Sequence, residues 1–407
     1  MSGFMTQPYV RDAQLLKTLT VSFARGNVQN LMWPTPFLYK KFVEVYHNQE
    51  SEDLQQLNVH YPTKFDIVCN HAIYTPSLEK LLNLENRNEF HFTILRHPLD
   101  LLKSSFKYFH DEVGPFKRAG SLQRFLLDPP RYFELENGTT GNKVYKPKAH
   151  QMDWAGKNAM AHDLGYYHWK QFLETKSSIK KFKQYLDKIY DVVLITEHMD
   201  YSLLILKKIL NLSLDDVAYV TVNKNSQKDE IDKTETDKTK HDNTPYETMT
   251  NDQVLDQQNY NFKKWATIDY AIYEHYNKTF WQRVEQYNIT ENDIEELNTH
   301  RETIKNRCFR GTTTKLKGYK QEFKPWSPGN GQQKIMQYIF TETGADDEYC
   351  RSMIRPEVAF AQRLRALQGL PINAKHIITR YQQRNMSRVE IAEEMRLPGV
   401  NVSTFFR

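Results

Sequence analysis

The chain has 407 residues, of which 39% are hydrophobic and 13% aromatic, and its formal net charge is only +5. That length permits one large globular domain or two or three small ones, and the composition excludes a disordered or fibrous chain. Acidic and basic residues are interspersed, which suits a local pocket for an anion and argues against a nucleic-acid-coating face.

Three cysteines, Cys69, Cys308 and Cys350, exclude a disulfide-dense scaffold, and no C-x-x-C pair points to zinc or redox chemistry. The histidines are scattered without metal-ligand spacing, so no metal site is expected. Nothing resembles a signal peptide, and there is no run of about 18 apolar residues for a membrane span. N-x-S/T sequons begin at Asn137, Asn211, Asn277, Asn288, Asn385 and Asn401. In an Asn-rich chain such triplets also arise by chance, so the sequence leaves each one open.

In chain order, three short apolar runs predict buried parallel strands, at 65–70, 90–95 and 191–196. Between the first two, Thr75 and Pro76 start a helical pattern, so the connection is a right-handed helix crossover. Two strands linked in this way send their following residues, His71 and Arg96, to one carboxyl edge, where open α/β sheets bind ligands. After Arg96, Pro98 opens a helix with Leu99, Leu102, Phe106 and Phe109 at helical spacing. Ser121 caps a short helix that Pro129 and Pro130 end. A helix over 200–210 follows the third strand. Residues 224–250, rich in Lys, Asp and Thr, predict a solvated, disordered insertion. A single long aromatic helix, from about 262 to 287, then carries Trp265, Tyr273 and Trp281. No internal repeat is visible.

Two groups at the sheet edge can carry chemistry. Arg96 at a strand end, with Ser104 eight residues on in the following helix, can hold one phosphate through a charge-assisted fork, a hydroxyl and helix amides. Exposed arginines and helical serines are common, so the pair is not decisive alone. His71 stands where a substrate hydroxyl could reach it, with a pKa suited to general-base work, although a loop histidine satisfied by hydrogen bonds reads the same way. His198 leaves the third strand similarly, with less support.

The stretch 92–109, with Arg96, Pro98, Ser104, Phe106 and Phe109, resembles the 3′-phosphate-binding segment of the galactose 3-O-sulfotransferases, which include the galactosylceramide (cerebroside) sulfotransferases. Upstream, Val68, Cys69, Asn70 and His71 resemble the family's strand ending in its proposed catalytic histidine. Downstream, Ser121 with Phe125, Asn158 with Asp163, Glu197 with Asp200, Asp216 with Tyr219 and Asn223 match in order. So do Trp265, Asp269, Tyr273, His275, Tyr276, Phe280 and Trp281, then Cys308, Lys324, Trp326 and Cys350. The resemblance runs collinearly from about residue 19 to about residue 368.

That resemblance implies the α/β sulfotransferase (P-loop-NTPase-like) fold, a central parallel sheet flanked by helices, over 1–368, with a polar helical tail at 369–407. It implies the donor 3′-phosphoadenosine 5′-phosphosulfate, with its 3′-phosphate on Arg96 and Ser104, no metal, and His71 as base toward the 3-hydroxyl of a galactosyl glycolipid or glycan. A Golgi membrane protein with a lumenal catalytic domain follows from the same resemblance, and in that oxidising lumen Cys308 and Cys350 would pair while Cys69 stays a thiol.

The match departs at the start. The family's first strand leads into a Lys-Thr-x-x-Ser/Thr-Thr loop that grips the 5′-phosphosulfate, whereas residues 1–17 show no such loop, and Lys17-Thr18 stands too close to Phe23 to replace it. We therefore expect an N-terminally incomplete form lacking that strand, the loop and an anchor. Alternatively, the chain is a catalytically silent relative that binds a glycan or a partner. A P-loop kinase is disfavoured, because no G-x-x-x-x-G-K-S/T element is present.

Overall fold

A computed structural model describes residues 2–6, 31–32, 67–68, 89–133, 135–137, 143–145, 153–166, 174–221, 250–314, 321–324, 336–356 and 359. Its centre is a sheet of five strands, β1 (Ser2–Thr6), β2 (Leu31–Met32), β3 (Ile67–Val68), β4 (Glu89–Leu95) and β7 (Val192–Ile195). They lie in the order β2-β3-β1-β4-β7, and every pairing is parallel. Two antiparallel ribbons lie outside the sheet, β5 (Leu135–Asn137) with β6 (Lys143–Tyr145) and β8 (Phe309–Thr313) with β9 (Gln337–Phe340).

All three predicted strands are present and parallel, but the expected absence of a first strand is corrected. Residues 2–6 form β1, which lies between β3 and β4 and pairs with both. Their Ser-Gly-Phe-Met-Thr sequence lacks the apolar run of a central strand. Strand character here comes from a five-residue register with β4, from Ser2 opposite Glu89 to Thr6 opposite Thr93, which illustrates how far context overrides β-propensity. Residues 7–17 of the segment expected to lack the phosphosulfate loop, the crossover at 75–84, most of 224–250 and the tail at 369–407 lie outside the described residues.

Helix α1 (Pro98–Phe109) begins on Pro98 and buries Leu99, Leu101, Leu102, Phe106 and Phe109, the face its spacing predicts. Short helices α2 (Gly114–Ala119) and α3 (Leu122–Leu127) follow. The Ser121 hydroxyl accepts the Arg124 N–H at 3.3 Å, and Pro129–Tyr132 turns away as a 3₁₀ helix. Next come α4 (Ala159–Asp163), α5 (Lys176–Ile189), α6 (Met199–Leu210) and α7 (Leu214–Val217).

The single long helix expected at 262–287 is in fact two, α8 (Asn251–Trp265) and α9 (Thr267–Gln286), broken at Ala266 with φ −98° and ψ 46°. The break has a cause: the Asn158 carboxamide oxygen accepts the Ile268 and Asp269 N–H groups, both at 3.2 Å, and so starts a second helix. Last come α10 (Glu291–Cys308), α11 (Glu342–Asp346) and α12 (Glu348–Ile354).

Most buried apolar side chains form one core, in which β4, β7, α1, α5, α6 and α9 meet. A smaller core gathers Val220, Ile304, Phe309, Phe323, Tyr338 and Ile354 around a Cys308–Cys350 disulfide, the pairing that the resemblance implied. Helix α10 joins the two, with Leu297 in the large core and Ile304 in the small one. Arg351 and Arg355, each 1% exposed, are balanced in the small core by Glu322, which hydrogen-bonds both guanidinium groups.

Candidate active site

The carboxyl edge of the sheet is built from the residues just beyond the ends of β4 and β7. Arg96 leaves Leu95 half-buried, and its guanidinium enters no hydrogen bond or ion pair among the described residues. His97 is the N-cap of α1 but supplies no side-chain cap, and Pro98 has no N–H. The first turn therefore presents the Leu99 and Asp100 amides without a capping side chain, while the Leu101 N–H already bonds the His97 carbonyl at 2.9 Å. An uncapped helix start beside an arginine is a favourable setting for an anion, since the helix dipole and the guanidinium act with one sign.

Ser104 is half-buried two turns into the same helix, and its neighbour Ser105 is buried. Arg96 and Ser104 thus belong to one rigid strand–helix unit, as expected. His71 lies outside the described residues, three positions beyond the end of β3. His198 stacks on Phe280 with ring centroids 5.7 Å apart and meets Trp281 edge-on at 4.7 Å. That packing accounts for its presence without chemistry.

Glu197, to which sequence reasoning gave no role, ties the edge together. One carboxylate oxygen accepts the His97 N–H at 2.8 Å, and the other accepts the Tyr273 hydroxyl at 3.2 Å. The Thr196 hydroxyl donates to the Leu95 carbonyl at 3.0 Å, fixing the two strand ends against each other. The His97 ring stands edge-on to Tyr270 and Tyr273, at 5.6 and 5.3 Å. Burial pushes the Tyr270 hydroxyl up to about 12, helped by Asp100, and raises Tyr273 further, helped by Glu197. Both phenols stay protonated donors at neutral pH. The signal for Glu197 was positional: an acidic residue two places after a parallel strand reaches the loop after the neighbouring strand.

A model of the galactose-3-O-sulfotransferase family matches residues 11–368. The chain belongs to that family. Galactose-3-O-sulfotransferase 2 of mouse (Mus musculus) is 26% identical over 327 residues, covering 78% of this chain and 72% of the relative. The human protein of the same name (Homo sapiens) is 25% identical over 361 residues, covering 86% and 77%. Mouse galactose-3-O-sulfotransferase 3 is 27% identical over 282 residues, covering 67% and 57%.

Several residues that carried the resemblance to this sulfotransferase family are structural. Asn158 caps α9, and Asp269 reciprocates by accepting the Met160 and Ala161 N–H groups at 3.1 and 2.8 Å, at the start of α4. Beside them the Trp265 indole N–H donates to the Gly156 carbonyl at 3.2 Å, and Lys157 Nζ lies 4.2 Å over the Trp265 ring. Asp200 accepts from Tyr219 at 2.9 Å and from Arg301 at 2.6 Å, pinning α6 to α10. Asp187 likewise holds His275 and Tyr276, joining α5 to α9. These pairs, buried at Asp269 and more exposed at Asp187, set the register of the helices that carry Tyr270, Tyr273 and Glu197. Among the described residues no cluster of three metal-ligating side chains occurs, and no helix is long and apolar enough to cross a membrane.

Proposed function

We propose that this chain transfers sulfonate from 3′-phosphoadenosine 5′-phosphosulfate to the 3-hydroxyl of a terminal galactose, on a galactosylceramide-like glycolipid or a glycan, using a sheet of the P-loop-NTPase-like sulfotransferase type. The observation that carries this reading is the half-buried Arg96 guanidinium, uncommitted among the described residues, beside the start of α1 at the carboxyl edge of a parallel sheet, where His97 supplies no side-chain cap. Arg96, with the Ser104 hydroxyl, would hold the donor's 3′-phosphate, because charge-assisted bonds to a phosphate are stronger than neutral ones. Glu197 acts at one remove, holding the backbone at His97 so that Arg96 and the helix start keep their relation. The galactose oxygen would attack sulfur in line, forming one S–O bond as the bond to the donor's bridging oxygen breaks. His71 would take the proton that the hydroxyl loses. No covalent enzyme intermediate is needed, so positioning and charge supply the catalysis. A lumenal Golgi setting is supported by the Cys308–Cys350 disulfide, which belongs to an oxidising compartment.

The test is calorimetric binding of adenosine 3′,5′-bisphosphate, the spent donor, to the full chain. Losing the guanidinium in Arg96→Ala removes about 3 kcal/mol of charge-assisted bonding, or roughly 100-fold in Kd. Ser104→Ala loses one neutral donor and about tenfold. Absence of binding to the folded wild type refutes the proposal. Binding without transfer to any galactosyl acceptor, unchanged in His71→Ala, leaves a silent binding protein.

A further inference from the structure

Two of the sequons share one construction. Asn211 follows the last residue of α6 and Asn288 lies just beyond the end of α9, and these are the two non-glycine residues with positive φ among the described residues, at 51° and 47°. Each is exposed. Two residues later, the sequon hydroxyl is the N-cap of the next helix. The Ser213 and Thr290 hydroxyls each donate to an aspartate three residues on, Asp216 at 2.6 Å and Asp293 at 2.7 Å, and each accepts that aspartate's N–H. In both turns the middle residue of the sequon, Leu212 or Ile289, packs toward the core, so the asparagine is held outward. Asn277 differs: it lies within α9, half-buried, with its carboxamide oxygen enclosed.

The two turns also share a location. The Glu197–Tyr273 bond lies just past the carboxyl end of β7, whereas the Arg283 guanidinium donates to the carbonyl of Asp191, just before its amino end, at 3.2 Å. Helix α9 therefore runs from the candidate active edge to the opposite edge, and Asn288 emerges there. Helix α6 leaves the carboxyl end of β7 and spans about 18 Å over its 12 residues. Its Lys208 reaches Asp293 at the start of α10, at 4.0 Å, so Asn211 emerges beside Asn288.

We propose that Asn211 and Asn288 are N-glycosylation sites, placing two oligosaccharides together on the pole opposite the donor site. A left-handed turn that ends a helix presents the carboxamide to solvent and to the transferase, and a bulky glycan there meets no part of the sheet edge that binds substrate. The inference rests on the lumenal part of the proposed function, and the experiment separates the two. The full chain is directed through the secretory route of glycosylating cells by an added leader, and occupancy is mapped by enzymatic deglycosylation in heavy-oxygen water. Asn211 and Asn288 should both be modified. Asn211→Asp and Asn288→Asp, which tolerate the left-handed conformation, should each remove one glycan and leave the Kd for the bisphosphate within about twofold. An unmodified asparagine at either position in the folded, secreted chain overturns the proposal. Modification at both sites in a secreted chain whose Cys308 and Cys350 nevertheless alkylate without reduction refutes the lumenal reading alone.

Discussion

Asn158 and Asp269 cap each other's helices, and truncating either one should be felt far from the side chain removed. In Asn158→Ala the Ile268 and Asp269 amides lose their acceptor at the break between α8 and α9, where Asn158 is fully buried. A buried donor left unsatisfied costs about 1–3 kcal/mol. One of the two can be recovered by local tightening into a 3₁₀ turn, so the expected loss is about 3 kcal/mol. For a chain of this size that is roughly 3–4 °C in Tm. Asp269→Ala frees the Met160 and Ala161 amides and should lose a similar amount. The geometry further requires coupling. Asp269 stands on the helix turn that Asn158 holds, so the double variant should lose about 1–2 kcal/mol less than the sum of the singles. Thermal unfolding of the four proteins measures the cycle. Additive losses, or an Asn158→Ala change within about 0.5 kcal/mol, would refute the reciprocal capping described here.

Two further outcomes follow from charge and covalent structure. Burial pushes the Asp269 carboxyl from near 3.8 up to about 8, outweighing the Ala161 and Met160 amides that act to lower it. The folded state then binds the proton more tightly than the unfolded state, so this group's contribution is full below about pH 4 and declines as the pH rises to about 8. The stability difference between wild type and Asp269→Asn should change across that window, and a difference that is flat with pH contradicts the assignment. The Cys308–Cys350 bridge closes a separation of 42 residues, for which chain entropy gives about 4 kcal/mol. Cys308→Ser with Cys350→Ser should lose most of that, and alkylation of the unreduced, unfolded wild type should label only Cys69. Labelling of three thiols would rule the bridge out.

The parts of this protein legible in sequence are those whose physics is local. Apolar runs gave β4 and β7 because a strand covered on both faces needs no polar alternation. Pro98 and the Leu99–Leu102–Phe106–Phe109 spacing gave α1 with its buried face, and Ser121 gave a cap. Arg96 and Ser104 could be placed on one strand–helix unit because a parallel strand followed by a helix fixes where its loop must lie. Tertiary structure decided the rest. Residues 2–6 are a central strand only because β3 and β4 flank them. The expected single helix breaks at Ala266 because an asparagine more than a hundred residues earlier competes for its amides. Glu197 matters through two partners, His97 and Tyr273, that are remote from it in the chain. Among the sequons, Asn211 and Asn288 separate from Asn277 only once φ, burial and the direction of α6 and α9 are known. Local sequence sets which backbone groups can pair, and the packed fold settles which of them do.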